Sequence, residues 1–387
     1  MAERALAHVE KIEWIRPIEG ADNIELIGVL GWVCIAKKGE FNVGDMAVYI
    51  EIDSKCPETD ERFAFLANKK FKVKTMKLGK FKVISQGLAL PLSLFPELHD
   101  RNIGDDVTEA LKITYASEED TARKTNKVDP NAKYKSMAKR RPKLFANPIV
   151  RRIMRYSIGR KIMFLLFGRK KDNPKKFPDW IVKTDETRIE NAPFYLQSTE
   201  KWIKTEKCDG TSCTFAVDRL KKGKNKFDFI VCSRNVRQAD REQACYHESN
   251  IYWELADKYD IEKILTQFAT ENNYNRVVLQ GEGVGSVQGN PYKFTENKLF
   301  VFNLIIDGIR LGTVEMADFC KSHGLTSVPI IDTAYELPKT MEEMKLEADG
   351  YSELNPKVKR EGFVYRSIDG QQSFKNVSRE YLLKHNG

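Results

Sequence analysis

Lys207, Asp209 and Gly210 fall within four residues of one another in Thr205-Glu206-Lys207-Cys208-Asp209-Gly210-Thr211-Ser212, where an apolar run ends. A lysine at a strand end that points into a pocket is a candidate covalent nucleophile. It attacks only as the neutral amine, so its pKa must fall from about 10.4 through burial or nearby positive charge. The short pattern alone is weak, because an exposed strand-end lysine explains it equally well. Its weight comes from ordered companions. Ser233-Arg234-Asn235, Gln280-Gly281-Glu282-Gly283, Phe300-Val301-Phe302-Asn303, Glu361-Gly362-Phe363-Val364 and Ser373-Phe374-Lys375-Asn376 each sit at the edge of a strand-like run. Placed so, they can converge on one cleft.

The elements that must position them fall into three stretches. Residues 1–115 read as all-β, with apolar runs around Ala7–Ile15, Ile24–Val29, Trp32–Ala36, Met46–Ile52, Phe71–Met76 and Val83–Leu90. Turn signals such as Glu19-Gly20-Ala21-Asp22 separate them. Short strands at this spacing suggest a small barrel, and a five-stranded OB-type barrel fits the length. Such a barrel binds oligonucleotides or serves structure and protein docking; this stretch alone does not choose. Residues 116–178 form a basic connector. Between Thr121 and Lys176 there are 19 Lys/Arg and two acids, so the rest of the chain is net negative although the whole carries +9. Such a segment attracts a polyanion. Asn147-Pro148 there reads as a helix start, and Ile149, Ile153, Ile158, Ile162 and Leu165 recur at near-helical spacing. The apolar stripe is expected to pack on a neighbouring domain, with Arg151, Arg152 and Arg155 turned to RNA. Residues 179–387 alternate strand-like runs with helical patterns near Glu242–Lys258, Ile261–Glu271 and Val314–His323, an α+β pattern.

Composition removes several classes. At 387 residues two or three units are expected. There is no apolar run of membrane-spanning length and no secretory signal, so no membrane partner is expected. Seven cysteines without a C-x-x-C pair, and five scattered histidines, argue against zinc and a disulfide framework. A cytoplasmic or other reducing intracellular compartment is the expectation.

The order of the motifs resembles the covalent nucleotidyltransferase superfamily of polynucleotide ligases and mRNA capping enzymes, over roughly residues 179–387. The catalytic part is most similar to ATP-dependent RNA ligases of the RNA ligase 2 type. A barrel placed before it is the pattern of the RNA ligase 5 family, as is Lys183-Thr184-Asp185-Glu186-Thr187-Arg188. The resemblance implies an α+β fold: an OB-type barrel (1–115), the basic helical connector (116–178) and a mixed or antiparallel-sheet, ATP-grasp-like nucleotidyltransferase domain (179–387). It implies Lys207 as the nucleophile that takes AMP from ATP. Asp209, Glu282 and Glu361 match the acids that hold Mg2+ or Mn2+, largely through water. Lys375 matches a lysine on the α-phosphate, and Arg234 a donor to ribose and phosphate. Arg188 is assigned to ATP phosphates or the RNA end, and Glu206 to the adenine amino edge. Phe302 is assigned to stacking on adenine, with Phe300 as the alternative. Where the family has a second lysine the chain has Ser373, so one phosphate contact must come from elsewhere, with Lys384 a candidate.

The implied reaction seals 3′-hydroxyl and 5′-phosphate RNA ends through lysyl-AMP and RNA-adenylate, in RNA repair. A nicked duplex is the expected substrate and a monomer the expected state. DNA ligases and capping guanylyltransferases place their OB domain after the last motif, whereas 12 residues follow Lys375 here. A non-catalytic OB-fold RNA-binding protein would leave the ordered Lys, Arg, Glu, Glu, Lys set unexplained.

Overall fold

The computed structural model describes residues 5–116, 142–167, 175–221, 226–238 and 250–385. The N-terminal stretch forms a curled antiparallel sheet. Its strands run, in spatial order, Trp32–Lys37, Ile24–Val29, Ala7–Pro17, Met46–Ile50 and Leu88–Pro91. Ala7–Pro17 spans 11 residues and is shared. Its first half pairs with Met46–Ile50 and its second half with Ile24–Val29, with an irregularity between Ile12 and Trp14. A long strand bent at a bulge is how a small sheet closes on itself. One core lies on each side of the bend, one around Phe63 and Phe95, the other around Ile27, Trp32 and Tyr49. The run expected as one strand over Phe71–Met76 is broken into Lys72–Val73 and Met76–Leu78.

The connector departs from expectation. Asn147 does cap a helix, its side chain accepting from the Ile149 amide at 2.9 Å. That helix stops at Met154, and a second runs Ser157–Phe167. The apolar stripe is not packed on a neighbour. Ile149, Ile158 and Leu165 are 69%, 70% and 84% exposed, whereas Met163 beside them is buried. Periodicity shows which residues share a face and is silent on whether anything covers it. The rest of the basic run, residues 117–141 and 168–174, lies outside the described residues, as do residues 239–249 at the start of the helix expected from Glu242.

The C-terminal half carries two sheets. The first orders Lys175–Lys176, Val236–Arg237, Phe227–Cys232, Thr211–Arg219, Arg276–Val284, Lys298–Ile306 and Ile309–Arg310, with Thr326–Ser327 parallel to Lys298–Ile306. The helices Ile251–Lys258, Ile261–Glu271 and Thr313–Ser322 cover one face through Leu255, Leu265 and Phe319. The second sheet orders Thr187–Arg188, Ser373–Val377, Gly362–Ser367, Trp202–Glu206 and Ile330–Tyr335 around Trp202, Tyr365 and Phe374. A smaller apolar cluster of Cys208, Val284, Tyr292, Phe300 and Val328 contains residues of both sheets or their edges.

The barrel and the second sheet share a seam. Val377 and Leu382, late in the chain, are buried in the barrel's core beside Ile12 and Trp32. The Gly31 amide donates to the Glu190 carbonyl at 2.8 Å, and Trp32 Nε1 donates to Asn191 Oδ1. The last helix, Arg379–His385, thus joins the C-terminal strand to the N-terminal core.

Candidate active site

Strand Trp202–Glu206 belongs to the second sheet and strand Thr211–Arg219 to the first. Lys207-Cys208-Asp209-Gly210 is therefore the crossing between the two sheets. Gly210 is required there: a Cβ would lie 2.4 Å from the Gly283 carbonyl oxygen, a backbone atom that cannot step aside. Gly362 has φ +149° and would place a Cβ 2.1 Å from the Asn376 oxygen, so the chain after Glu361 also needs glycine. The Lys207 amide donates to the Gly362 carbonyl at 3.0 Å, tying the nucleophile candidate to the strand behind Glu361.

Lys207 Nζ lies 2.7 Å from Glu361 Oε1, with the lysine side chain 27% exposed. Burial alone would depress its pKa, but Glu361, Glu282 and Asp209 outweigh burial and hold it above the ordinary lysine value. These residues alone therefore do not supply the depressed pKa that attack as the neutral amine demands. Burial raises Glu282 to about 8, with Lys207 opposing and Glu361 and Asp209 adding to the rise. Burial likewise raises Glu361 against Lys207. Three carboxyl groups around one ammonium crowd one another, and that mutual repulsion suits a cation. Among the described residues no group of three His, Cys, Asp or Glu side chains is disposed to chelate a metal directly. A cation held partly through water or through a ligand's phosphates fits this arrangement; a closed protein cage does not.

Other parts of the sequence pattern meet at Asp185. Lys375 Nζ lies 2.8 Å from its Oδ1 and Arg234 Nη2 3.3 Å from its Oδ2. Lys375 also acts electrostatically on Glu361, so it belongs to the same cluster. Arg234 is about half exposed at the rim.

The adenine candidates separate by burial. Phe300 and Phe302 share a face of strand Lys298–Ile306, two residues apart. Phe300 is 6% exposed and stacks on Phe294 at 6.2 Å, an ordinary core role. Phe302 keeps a partly open face beside the same cluster. Glu206 is buried; its Oε2 accepts from the Glu353 amide at 2.7 Å, and its Oε1 has no hydrogen-bond partner among the described residues. Burial raises its pKa. A buried acceptor without a donor is costly unless a ligand supplies one, and an exocyclic amine can.

Two further expected residues have other neighbours in the fold, although Arg188 is in strand register with Lys375. Arg188 turns to the seam, where Nη2 donates to Asp53 of the barrel at 3.0 Å and the guanidinium lies 5.8 Å from the Trp32 ring. Lys384 is exposed on the last helix. Ser373 donates to Glu186, which also meets Arg366 Nη2 at 3.1 Å and Arg310 Nη1 at 3.9 Å. Burial opposes the charge of Glu186, yet Arg366, Ser373 and Arg310 hold its pKa below the usual range. Arg366 also donates to the Phe302 carbonyl, so this cluster braces the strand that carries Phe302.

A family model described as RNA ligase matches residues 200–384, and one described as an OB-fold domain matches residues 6–92. No curated protein matches the chain in sequence. Solved structures do. An aspartate-to-alanine mutant of Naegleria gruberi RNA ligase without ligand is 30% identical, with 100% of this chain and 99% of that one covered and a TM-score of 0.76. The same ligase with pyrophosphate is 31% identical, with 99% of each chain covered and a TM-score of 0.75. A lysine-to-alanine mutant of it with ATP and manganese is 30% identical, covering 98% and 99%, with a TM-score of 0.75.

The chain belongs to the RNA ligase family. It carries an N-terminal OB-type domain ahead of the α+β ligase domain, as the sequence implied. Within this ligase, sequence reasoning missed Tyr292 and Tyr381. Tyr292 Oη accepts from the Asp209 amide at 2.7 Å, and burial with the nearby charges of Glu361 and Asp209 pushes the Tyr381 hydroxyl well up. Neither stands at a motif position, and only the fold brings them to Asp209.

Proposed function

We propose that Lys207 is the residue through which this RNA ligase takes AMP from ATP. The enzyme is an ATP-dependent RNA ligase that works through a covalent adenylate. The observation that carries the assignment is the Lys207–Glu361 pair at 2.7 Å, with Glu282 and Asp209 acting on the same ammonium. The Naegleria ligase structures carry ATP or AMP with manganese. The residues substituted in them include a lysine two positions before an aspartate, and a glutamate fourteen positions before a lysine. Lys207 and Asp209, and Glu361 and Lys375, repeat both spacings.

The adenine would lie against the open face of Phe302, its amino group meeting Glu206 Oε1. Lys375 and Arg234, now engaged by Asp185, are the cations available to the phosphates. Asp209, Glu282 and Glu361 would hold Mg2+ or Mn2+ through water and phosphate oxygens. Such an ion neutralises the carboxylates and the triphosphate, and so removes what keeps Lys207 protonated. Glu361, 2.7 Å from Nζ, would take its proton. The amine then forms an N–P bond to the α-phosphorus as the bond to pyrophosphate breaks. An RNA 5′-phosphate oxygen next attacks the same phosphorus, breaking the N–P bond and returning the lysine. Finally a 3′-hydroxyl attacks the RNA phosphate, forming the phosphodiester and releasing AMP. Each is an in-line displacement governed by positioning and charge neutralisation.

The finer reading is a monomeric enzyme in a reducing intracellular compartment that seals 3′-hydroxyl and 5′-phosphate ends of RNA, best at a nick in a duplex. The test is an end-joining assay with nicked duplexes whose two ends are RNA or DNA in each combination. Sealing of nicks with an RNA 3′-hydroxyl strand, and little sealing of all-DNA nicks, supports it. Equal sealing of both overturns the RNA preference. Labelling by GTP in place of ATP would overturn the nucleotide assignment.

A further inference from the structure

We propose that the helices Pro148–Met154 and Ser157–Phe167 form a docking surface for an anionic lipid membrane, lying in its interface without crossing it. The two helices are built against each other. A Cβ at Gly159 would lie 2.1 Å from the Ile153 carbonyl oxygen, so only glycine allows this approach. Along the second helix Gly159 and Met163, four residues apart, are buried. Ile158, Ile162, Leu165 and Leu166 recur at i, i+4, i+7 and i+8 on the adjoining side, and all four are exposed. Ile149 on the first helix and Tyr156 just after it add to the exposed apolar surface. The stripe is therefore not the side by which the helix joins its neighbour.

Charge selects the occupant. The stretch from Pro148 to Phe167 holds Arg151, Arg152, Arg155, Arg160 and Lys161 and no acid, and the flanking acids in sequence are Asp129 and Asp172. Arg151, Arg152, Arg155 and Lys161 are exposed as well. A second copy of this surface would set basic groups against basic groups. RNA would meet the arginines, but its backbone gains nothing from isoleucine and leucine, and its bases stack on aromatic rings rather than aliphatic chains. An anionic lipid interface supplies both partners: phosphates for the cations and acyl chains for the aliphatic groups. Arginine and lysine stems are long enough to keep their charge at the headgroups while the apolar side chains enter. Among the described residues no helix is long and apolar enough to cross a membrane, and an interfacial helix needs no spanning length.

The proposal is independent of the assignment of Lys207. The test is co-sedimentation of the full chain with liposomes of phosphatidylcholine containing about one third phosphatidylglycerol, against liposomes of phosphatidylcholine alone. Binding to the anionic liposomes is expected, at least about 10-fold weaker on the neutral ones and weakened by raised salt. I158S/L165S removes two exposed apolar side chains and should weaken binding about 10-fold or more, with the melting temperature unchanged because neither group packs in the core. R151E/R152E/R155E should weaken it as strongly while leaving the apolar stripe intact. No binding to anionic liposomes, equal binding to neutral ones, or full binding by both variants would overturn the proposal. Two further results would overturn it in favour of another occupant. One is RNA binding that I158S/L165S weakens in a chain that does not bind lipid. The other is a dimer, read by light scattering, that the same variant converts to monomer.

Discussion

Two lysine–glutamate pairs, one in the cleft and one at the seam, behave in opposite ways. Lys207 and Glu361 are 2.7 Å apart in the cleft, with the lysine about a quarter exposed. Lys345 and Glu190 are 2.5 Å apart at the seam, each 1% exposed. The cleft lysine has two further carboxylates, Glu282 and Asp209, which outweigh burial and raise its pKa. The seam lysine has one, and burial together with Arg188 and Arg379 pulls its pKa down despite Glu190. Lys345 also donates to the Val377 carbonyl at 3.0 Å. The first pair is over-supplied with negative charge and open to a ligand. The second is balanced, closed and structural. Contact distance alone does not separate them; the surrounding charges and the open side do.

The sharpest way to break this contrast is to remove each lysine. K207A should lose adenylate formation by at least about 1000-fold while its melting temperature stays within a few degrees of wild type. K345M leaves Glu190 buried without its cation and should cost about 3–5 kcal/mol in denaturant unfolding, whereas K345M/E190L should recover most of that loss. If K345M unfolds no more readily than K207A, the distinction fails. A second contrast lies in the two phenylalanines. F300A should cost about 3–5 kcal/mol of stability through its cavity, and F302A less than half of that. F302A should instead raise the KM for ATP about 10-fold through lost stacking. A further test concerns pH. Burial opposes the charge on His8, but Glu10 and Glu51 lift its pKa to about 9. Its contribution is complete below pH 6.5 and is lost as pH rises through about 9, so up to about 3 kcal/mol should drain away between those values. Thermal melts of wild type should drop over that range, and H8Q should flatten the drop.

The strand edges at Lys207 and Glu361 were legible from the apolar runs beside them, whereas Glu282 and Lys375, also expected at strand edges, lie within Arg276–Val284 and Ser373–Val377. The convergence of Arg234 and Lys375 on Asp185 was not legible, because three segments far apart in sequence make it. The contact of Arg188 was not legible for the same reason: its partner, Asp53, belongs to the barrel. The exposed stripe Ile149, Ile158 and Leu165 shows the converse limit, since helical spacing marks a face and not its cover. Ser373 is explained only in three dimensions, by a Glu186 already supplied with Arg366 and Arg310.

The central claim is that Lys207 carries AMP. Intact-protein mass spectrometry after incubation with ATP and Mn2+, followed by peptide mapping at neutral or alkaline pH to preserve the acid-sensitive N–P bond, tests it directly. One AMP per chain, located on the peptide containing Lys207 and absent from K207A, is the predicted result. An adduct of equal yield in K207A, or one located on another residue, would contradict it.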